Sequence, residues 1–335
     1  MKVLVTGATG FIGREIVSEL SENNFQVLAL GRSAKPVGFQ FQKISWFQKD
    51  ITDGKNWSDI EITANLDAII HSAGLAHQFG DTKKEQFDAV NVTGTENVLD
   101  LSVKLKIKHF ILIGSTAVYG VQKSARVIGS NRSIIDENGV LAPPTLYAES
   151  KLSSERVCRR VCEENKIPLT IFRLAPVIGE DNTGNVARLI SAIDKNRFVW
   201  VGDGQNLKSL IYKRDVARAC VKLLESKKNA TEIFNLAAEP VRMKDFVNQI
   251  ARHLNKKIFP VQIPASIPRM VFDLNAKLFD LKKINKISET VEKWLADDVY
   301  AADKIAQAYD FRPTTTIEEA IKKQVDQYIM TKDQT

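Results

Sequence analysis

Cysteine and histidine are scarce, with three of one and four of the other in 335 residues. Cys158, Cys162 and Cys220 have no metal-ligand spacing and form no even set, so neither a disulfide framework nor a metal centre is expected. Cys158 and Cys162 lie four apart, share a helix face and read as buried apolar packing. No apolar run approaches the roughly 20 residues of a membrane-spanning helix. The opening residues, MKVLVTG, lack the apolar core of a signal peptide. Repeats, low-complexity tracts, Lys/Arg blocks and basic stretches interleaved with aromatics are all missing, which argues against a nucleic-acid partner. What these absences leave is a reduced, cytoplasmic protein with no integral membrane segment.

Hydrophobic residues make up 44% and charged residues 26%, the balance of a globular chain with a sizeable core. At roughly 100–200 residues per domain, the length allows one large domain or two intimate ones. The net charge of +7 serves solubility and suits an anionic ligand such as a nucleotide. Short β-rich runs at 3–5, 27–30, 44–47, 68–70, 110–113 and 169–172 alternate with helical periodicity, as at 12–20. That alternation predicts an α/β fold with a doubly wound parallel sheet, helices on both faces and ligand loops along one edge. After Arg173 the pattern loosens into a loop at 179–184, helices at 188–193 and 317–329, and a returning strand at 233–236. We expect a dinucleotide-binding unit over 1–175, with a returning strand near 232–237, and a substrate lobe over most of 176–335.

The segment VLVTGATGFIG runs a strand directly into Gly7, Gly10 and Gly13, with Phe11 and Ile12 opening a helix. Glycines permit a tight turn and close backbone approach to a pyrophosphate, while the helix N-terminus offers free N–H groups. After the second strand, Gly31 stands where a carboxylate would hold an adenosine ribose. Arg32 and Ser33 can instead hold a 2′-phosphate, so NADP(H) is favoured, with NAD(H) as the alternative. Asp50 and Ile51 are expected beside the adenine. Ser72, Ala73 and Gly74 are expected near the ribose and phosphates.

Tyr147 and Lys151, in YAESK, sit one helical turn apart on one face. A neighbouring ammonium favours the phenolate that a tyrosine needs to act as a base. Ser115, in GSTAVYG after a later strand, can hold the substrate oxygen beside Tyr147. The set suits proton exchange at a hydroxyl coupled to hydride transfer.

With TGATGFIG, HSAG, NVTGTENV, GSTAVYG and YAESK in this order, the chain resembles the extended short-chain dehydrogenases/reductases. Within them it looks like the NAD-dependent epimerase/dehydratase group acting on nucleotide sugars. RLAPVIG, SLIYKRDVA and IFNLA extend the likeness over nearly the whole chain. The resemblance implies a Rossmann-type sheet, a smaller C-terminal substrate lobe and often a homodimer pairing helices near 91–101 and 147–159. It gives Ser115, Tyr147 and Lys151 catalytic roles, with Tyr147 and Lys151 also meeting the cofactor. It gives Gly7, Gly10 and Gly13 the pyrophosphate, and Asn91 a structural role beside the cofactor.

Departures narrow the expectation. Sugar 4,6-dehydratases carry adjacent acidic residues where Thr116 and Ala117 stand here, so dehydration is disfavoured. Pro176 replaces a usual Asn, and Lys208 replaces an Arg that often meets the diphosphate. His77 suggests the branch containing 4-keto-6-deoxy-sugar reductases. His77, Thr116, Asn185 and Lys208 are the substrate candidates. The leading expectation is an NADPH-dependent reductase of a 4-keto (6-deoxy) sugar nucleotide. A nucleotide-sugar 4-epimerase, a hydroxysteroid-type dehydrogenase with a greasy cover at 263–281, and a non-catalytic cofactor sensor are the alternatives.

Overall fold

The structure, a computed structural model, describes residues 1–34, 43–54, 57, 59–60, 65–76, 82–120, 126–128, 132–226, 228, 230–258, 262–263 and 295–332. His77 and nearly all of 263–281 lie outside the described residues.

Seven parallel strands form the main sheet: β1 (Lys2–Thr6), β2 (Gln26–Gly31), β3 (Ile44–Gln48), β4 (Ala68–His71), β5 (His109–Ser115), β6 (Leu169–Leu174) and β7 (Glu232–Leu236). Their spatial order is β3-β2-β1-β4-β5-β6-β7. The predicted strands are present, including the returning one, which pairs with β6 at the sheet edge. β4 and β6 are buried along their whole length, as strands covered on both faces must be.

The two faces follow from the period of two along each strand. Val3 and Val5 point into one core, with α1 (Phe11–Glu22), α5 (Lys213–Glu225) and α7 (Asp303–Tyr309) supplying Ile16, Leu20, Val216, Leu224 and Tyr309. Leu4 points into the other, where α2 (Gly94–Lys104) and α3 (Leu146–Glu164) contribute Val98, Leu101, Cys158 and Cys162. Both cysteines are buried thiols on one helix face, as their spacing predicts. A third core joins α4 (Asn185–Asp194), α6 (Met243–His253) and α8 (Ile317–Lys332) around Ile190, Phe246, Val247 and Ile321.

Strand order reverses beside β1, whose neighbours are β2 on one side and β4 on the other. The loops after β1 and β4 therefore diverge and open a crevice at the carboxyl edge. Small strand pairs gather the C-terminal chain at the same edge: Ile211–Tyr212 with Val177–Ile178, and Leu207–Lys208 with Val241–Arg242.

Candidate functional site

The turn after β1 is shaped by contacts that only glycine allows. Gly7 has φ +67°, and a Cβ there would lie 2.7 Å from the Ala73 backbone. A Cβ on Gly13 would lie 2.1 Å from the Gly7 carbonyl oxygen. Gly10 closes the turn by donating its N–H to that same oxygen at 2.8 Å. The first turn of α1 has neither a side-chain cap nor an acidic residue. The N–H groups at Phe11, Ile12 and Gly13 thus point out with the positive end of the helix dipole behind them. An uncapped helix start and a backbone bared of Cβ atoms fit the pyrophosphate of a dinucleotide. Thr9, Gly10, Phe11, Arg14, Glu15, Asp181 and Lys213 line a cavity of about 260 Å³ beside this turn.

Threonine and histidine tie this turn to the rest of the edge. Ala73 donates its N–H to Thr6 Oγ1 at 3.1 Å, and Thr6 Oγ1 lies 2.8 Å from His71 Nδ1. His71 Nε2 lies 3.0 Å from Thr95 Oγ1, which donates to the Asn91 carbonyl at 2.6 Å. Because the Thr95 proton is spent on Asn91, His71 donates from Nε2 and accepts at Nδ1, the neutral form. Burial, reinforced by the Lys151 charge, pushes its pKa down to about 3. His71 is thus a core histidine on the cofactor side of the sheet.

Asn91 sits in a widened π-helical turn, Asp88–Thr93, leading into α2. Its Oδ1 accepts from the Leu75 N–H at 2.7 Å, and its Nδ2 donates to the Leu75 carbonyl at 3.1 Å and to Ser150 Oγ at 2.9 Å. Ser150 Oγ donates to the Tyr147 carbonyl at 2.8 Å. The side chain therefore binds the loop after β4 to the first turn of α3.

α3 starts at Thr145, whose hydroxyl accepts from the Ala148 N–H at 3.2 Å. Tyr147 comes next on the helix, half-buried, with its hydroxyl hydrogen-bonded to Ser115. Burial raises the Tyr147 pKa, and the Ser115 contact opposes that rise. Lys151, one turn on, is buried and donates from Nζ to the Ile113 carbonyl at 2.7 Å. Burial lowers the Lys151 pKa, while the nearby Glu155 carboxylate holds it up. Ser115, Tyr147 and Lys151, far apart in the sequence, thus meet at the end of β5.

Other expected residues fall in several places. Ser72 and Ala73 are half-buried and Gly74 is exposed, all in the loop after β4, where Gly74 borders Asn91 and Lys151. Gly31 ends β2 beneath the Trp46 ring, and Arg32 and Ser33 follow in the open. Asp50 folds back on Thr52, accepting its N–H and hydroxyl, each at 2.9 Å. The Ile51 side chain is a correction: it packs in the core against α2, with Gly94 making room for it. Thr116 is another: buried beside the Tyr300 hydroxyl, it donates to the Leu174 carbonyl at 3.1 Å. Lys208 donates from its ammonium to the Ala296 carbonyl at 2.8 Å, which uses one of its three N–H donors. Asn185 is exposed at the first residue of α4.

Tyr300 and Asp298 were not foreseen. The Tyr300 hydroxyl donates to Asp298 Oδ1, and its ring stacks on Tyr119 with centroids 5.9 Å apart. Tyr300 is buried in the core beside Thr116. No motif surrounds them in the sequence, so nothing local announces them. Among the described residues, no group of three acidic, histidine or cysteine side chains could hold a metal ion, and no helix is long and apolar enough to cross a membrane.

Comparison with known proteins agrees with this geometry. The NAD dependent epimerase/dehydratase family matches residues 3–237. The chain is 29% identical to an N-acetyl-alpha-D-glucosaminyl-diphospho-ditrans,octacis-undecaprenol 4-epimerase of Escherichia coli O157:H7, over 93% of this chain and 91% of the relative. It is 24% identical to the human dTDP-D-glucose 4,6-dehydratase, over 98% of this chain and 89% of that one. Among solved structures, UDP-glucuronic acid 4-epimerase from Bacillus cereus, in complex with NAD, superposes with a TM-score of 0.76. That match covers 99% of both chains at 20% identity, a likeness of fold.

Proposed function

The chain belongs to the NAD-dependent epimerase/dehydratase family, and on that premise we propose that it is a 4-epimerase of a sugar carried on a diphosphate. The observation that carries this reading is the cluster of Ser115, Tyr147 and Lys151 beside the glycine turn, with Thr116 and Ala117 where a dehydratase needs carboxylates. This reading displaces the reductase expected from the sequence, because the named relatives are epimerases and dehydratases.

A nicotinamide dinucleotide, when bound, supplies the hydride acceptor and donor. Gly7, Gly10 and the N–H groups of Phe11, Ile12 and Gly13 bind its pyrophosphate. Ser115 holds the sugar C4 oxygen by a hydrogen bond and keeps it beside Tyr147. The Tyr147 phenolate takes the C4 hydroxyl proton in one half-reaction and returns it in the other. Lys151 stabilises that phenolate by charge, since each buried ammonium–phenolate approach is strengthened by the low dielectric. Asn91 fixes the Leu75 backbone, and with it the loop after β4 that borders Lys151.

NAD(H) accords with the family name. Gly31 and Arg32 favour the second reading, an NADP(H)-dependent 4-keto-sugar reductase, because no carboxylate follows β2 to hold a ribose. Nucleotide and polyprenol are both candidate carriers of the diphosphate. We place the protein in the cytoplasm as a homodimer paired through α2 and α3, which light scattering tests.

The deciding experiment identifies the nucleotide released on denaturation, then offers UDP-glucose, UDP-N-acetylglucosamine and the polyprenyl-diphosphate sugar without added cofactor. Retained NAD and conversion of any of these to its C4 epimer are expected. Stoichiometric NADPH consumption with a 4-keto sugar, and no epimer, would move the reductase to first place.

A further inference from the structure

One face of α3 meets β5 at three successive rungs. Tyr147 bonds to Ser115, and Lys151 donates to the Ile113 carbonyl at 2.7 Å. Glu155, a further turn along, approaches Gly114 between them, where a Cβ would lie 3.2 Å from Glu155 Oε1. The first two rungs belong to the proposed chemistry. The third has no part in it, yet it is the most deeply buried charge on the helix, 1% exposed.

Glu155 is gripped by Arg173, itself 1% exposed, through contacts of 2.8, 3.2 and 3.2 Å. Arg173 and Gly114 are register partners across β5 and β6, and Arg173 and Asn235 are partners across β6 and β7. Arg173 also donates to the Tyr119 hydroxyl at 2.9 Å and lies over its ring. The Tyr119 hydroxyl donates to Asn235 Oδ1 at 2.8 Å, and Asn235 takes Glu137 Oε1 through its N–H at 2.8 Å. Tyr119 closes the tight turn that begins at Thr116, next to Ser115. One buried pair therefore fastens the catalytic helix, the strand end and the turn after it to a single row of the sheet.

We propose that Glu155 is a positioning residue: held by Arg173, it sets the depth of α3 against β5 and keeps the Lys151 ammonium charged beside Tyr147. A buried ion pair is a poor device for stability alone, since apolar residues of equal volume do as well. Its value here is geometric and electrostatic. Lys151 is faced by His71 on β4, by Glu155 and Cys158 on its own helix, and by Arg173 beyond Glu155, with Tyr147 one turn back along the helix. His71 is neutral, so Glu155 is the anion that offsets the burial of Lys151.

The test titrates Lys151 by NMR in protein carrying carbon-labelled lysine, with Lys151→Met identifying its signal. Glu155→Gln is expected to lower the Lys151 midpoint by about one pH unit. In turnover, kcat should fall about tenfold with KM within twofold, and the alkaline limb of the rate profile should move to lower pH. If the single variant does not fold, Glu155→Gln with Arg173→Gln removes both charges and leaves two amides in the same space. The midpoint should fall there too. A Lys151 midpoint unchanged in the folded variant overturns the proposal, even if stability drops. The titration needs no substrate, so its failure leaves the 4-epimerase reading standing.

Discussion

At the turn after β1, Gly13 closes onto Gly7 a few residues away. Around Thr116 the partners come from elsewhere: Leu174 at the end of β6, Tyr300 and Asp298 from the C-terminal chain, and Tyr119 stacked between. The first region is built by backbone approaches too close for any Cβ at Gly7 or Gly13. The second is built by side chains that meet only once the sheet has formed. A local device can be damaged by one methyl group. A distributed one should yield gradually, because each contact is backed by others. The residues proposed for catalysis lie at the seam, since Ser115 ends β5 and Tyr147 stands in the first turn of a helix on the opposite side of that seam.

The largest expected effect falls at the seam. Tyr147→Phe removes the hydroxyl bonded to Ser115 and should lower kcat by about 1,000-fold, with the fold and cofactor binding intact. Steady-state kinetics beside a cofactor titration checks this, and a rate within tenfold of the parent would remove Tyr147 from its role. Next is the glycine turn. Gly13→Ala puts a methyl 2.1 Å from the Gly7 carbonyl oxygen. Dinucleotide affinity should fall by about 100-fold, near 3 kcal/mol, in a calorimetric titration.

Legibility in the sequence divides along the same line. The glycine turn, the parallel strands and the Tyr147–Lys151 helix are periodic or local patterns, so they could be read directly. The family resemblance, confirmed by the match over 3–237, gave the order of the motifs. Thr116 was misjudged because residue type shows what a side chain can bind, and says nothing of what already occupies it. Glu155 looked like any polar residue on a helix. Its burial depends on Arg173 arriving from β6, a pairing with no periodicity to reveal it. The π-helical turn at Asn91 likewise breaks the 3.6-residue pattern on which helix reading depends.

A smaller effect links the two regions through His71. Its pKa is depressed to about 3 in the fold against 6.5 for a solvated histidine, so the folded state binds fewer protons in between. Stability from this group is therefore complete above pH 6.5 and is lost as pH falls toward 3, by up to about 1.4 kcal/mol per pH unit. Urea unfolding at pH 7 and pH 5 should show the slope, and His71→Gln should flatten it. An equal slope in both proteins would place the acid sensitivity elsewhere. The smallest effect is expected at Lys208. Lys208→Met breaks the bond to the Ala296 carbonyl and should lower stability by about 1 to 2 kcal/mol. Substrate KM should change by less than about threefold, under about 0.7 kcal/mol. A larger rise in KM would return Lys208 to the diphosphate.

In the proposed 4-epimerase reaction, hydride leaves C4 and returns to the same carbon from the other side. The direct measurement supplies a C4-deuterated sugar substrate to the purified protein with no added cofactor, and follows the label by mass spectrometry and NMR. The C4 epimer with deuterium still on C4 is expected. A product that has lost the label, or one that forms only when NADPH is added and consumed, would contradict it.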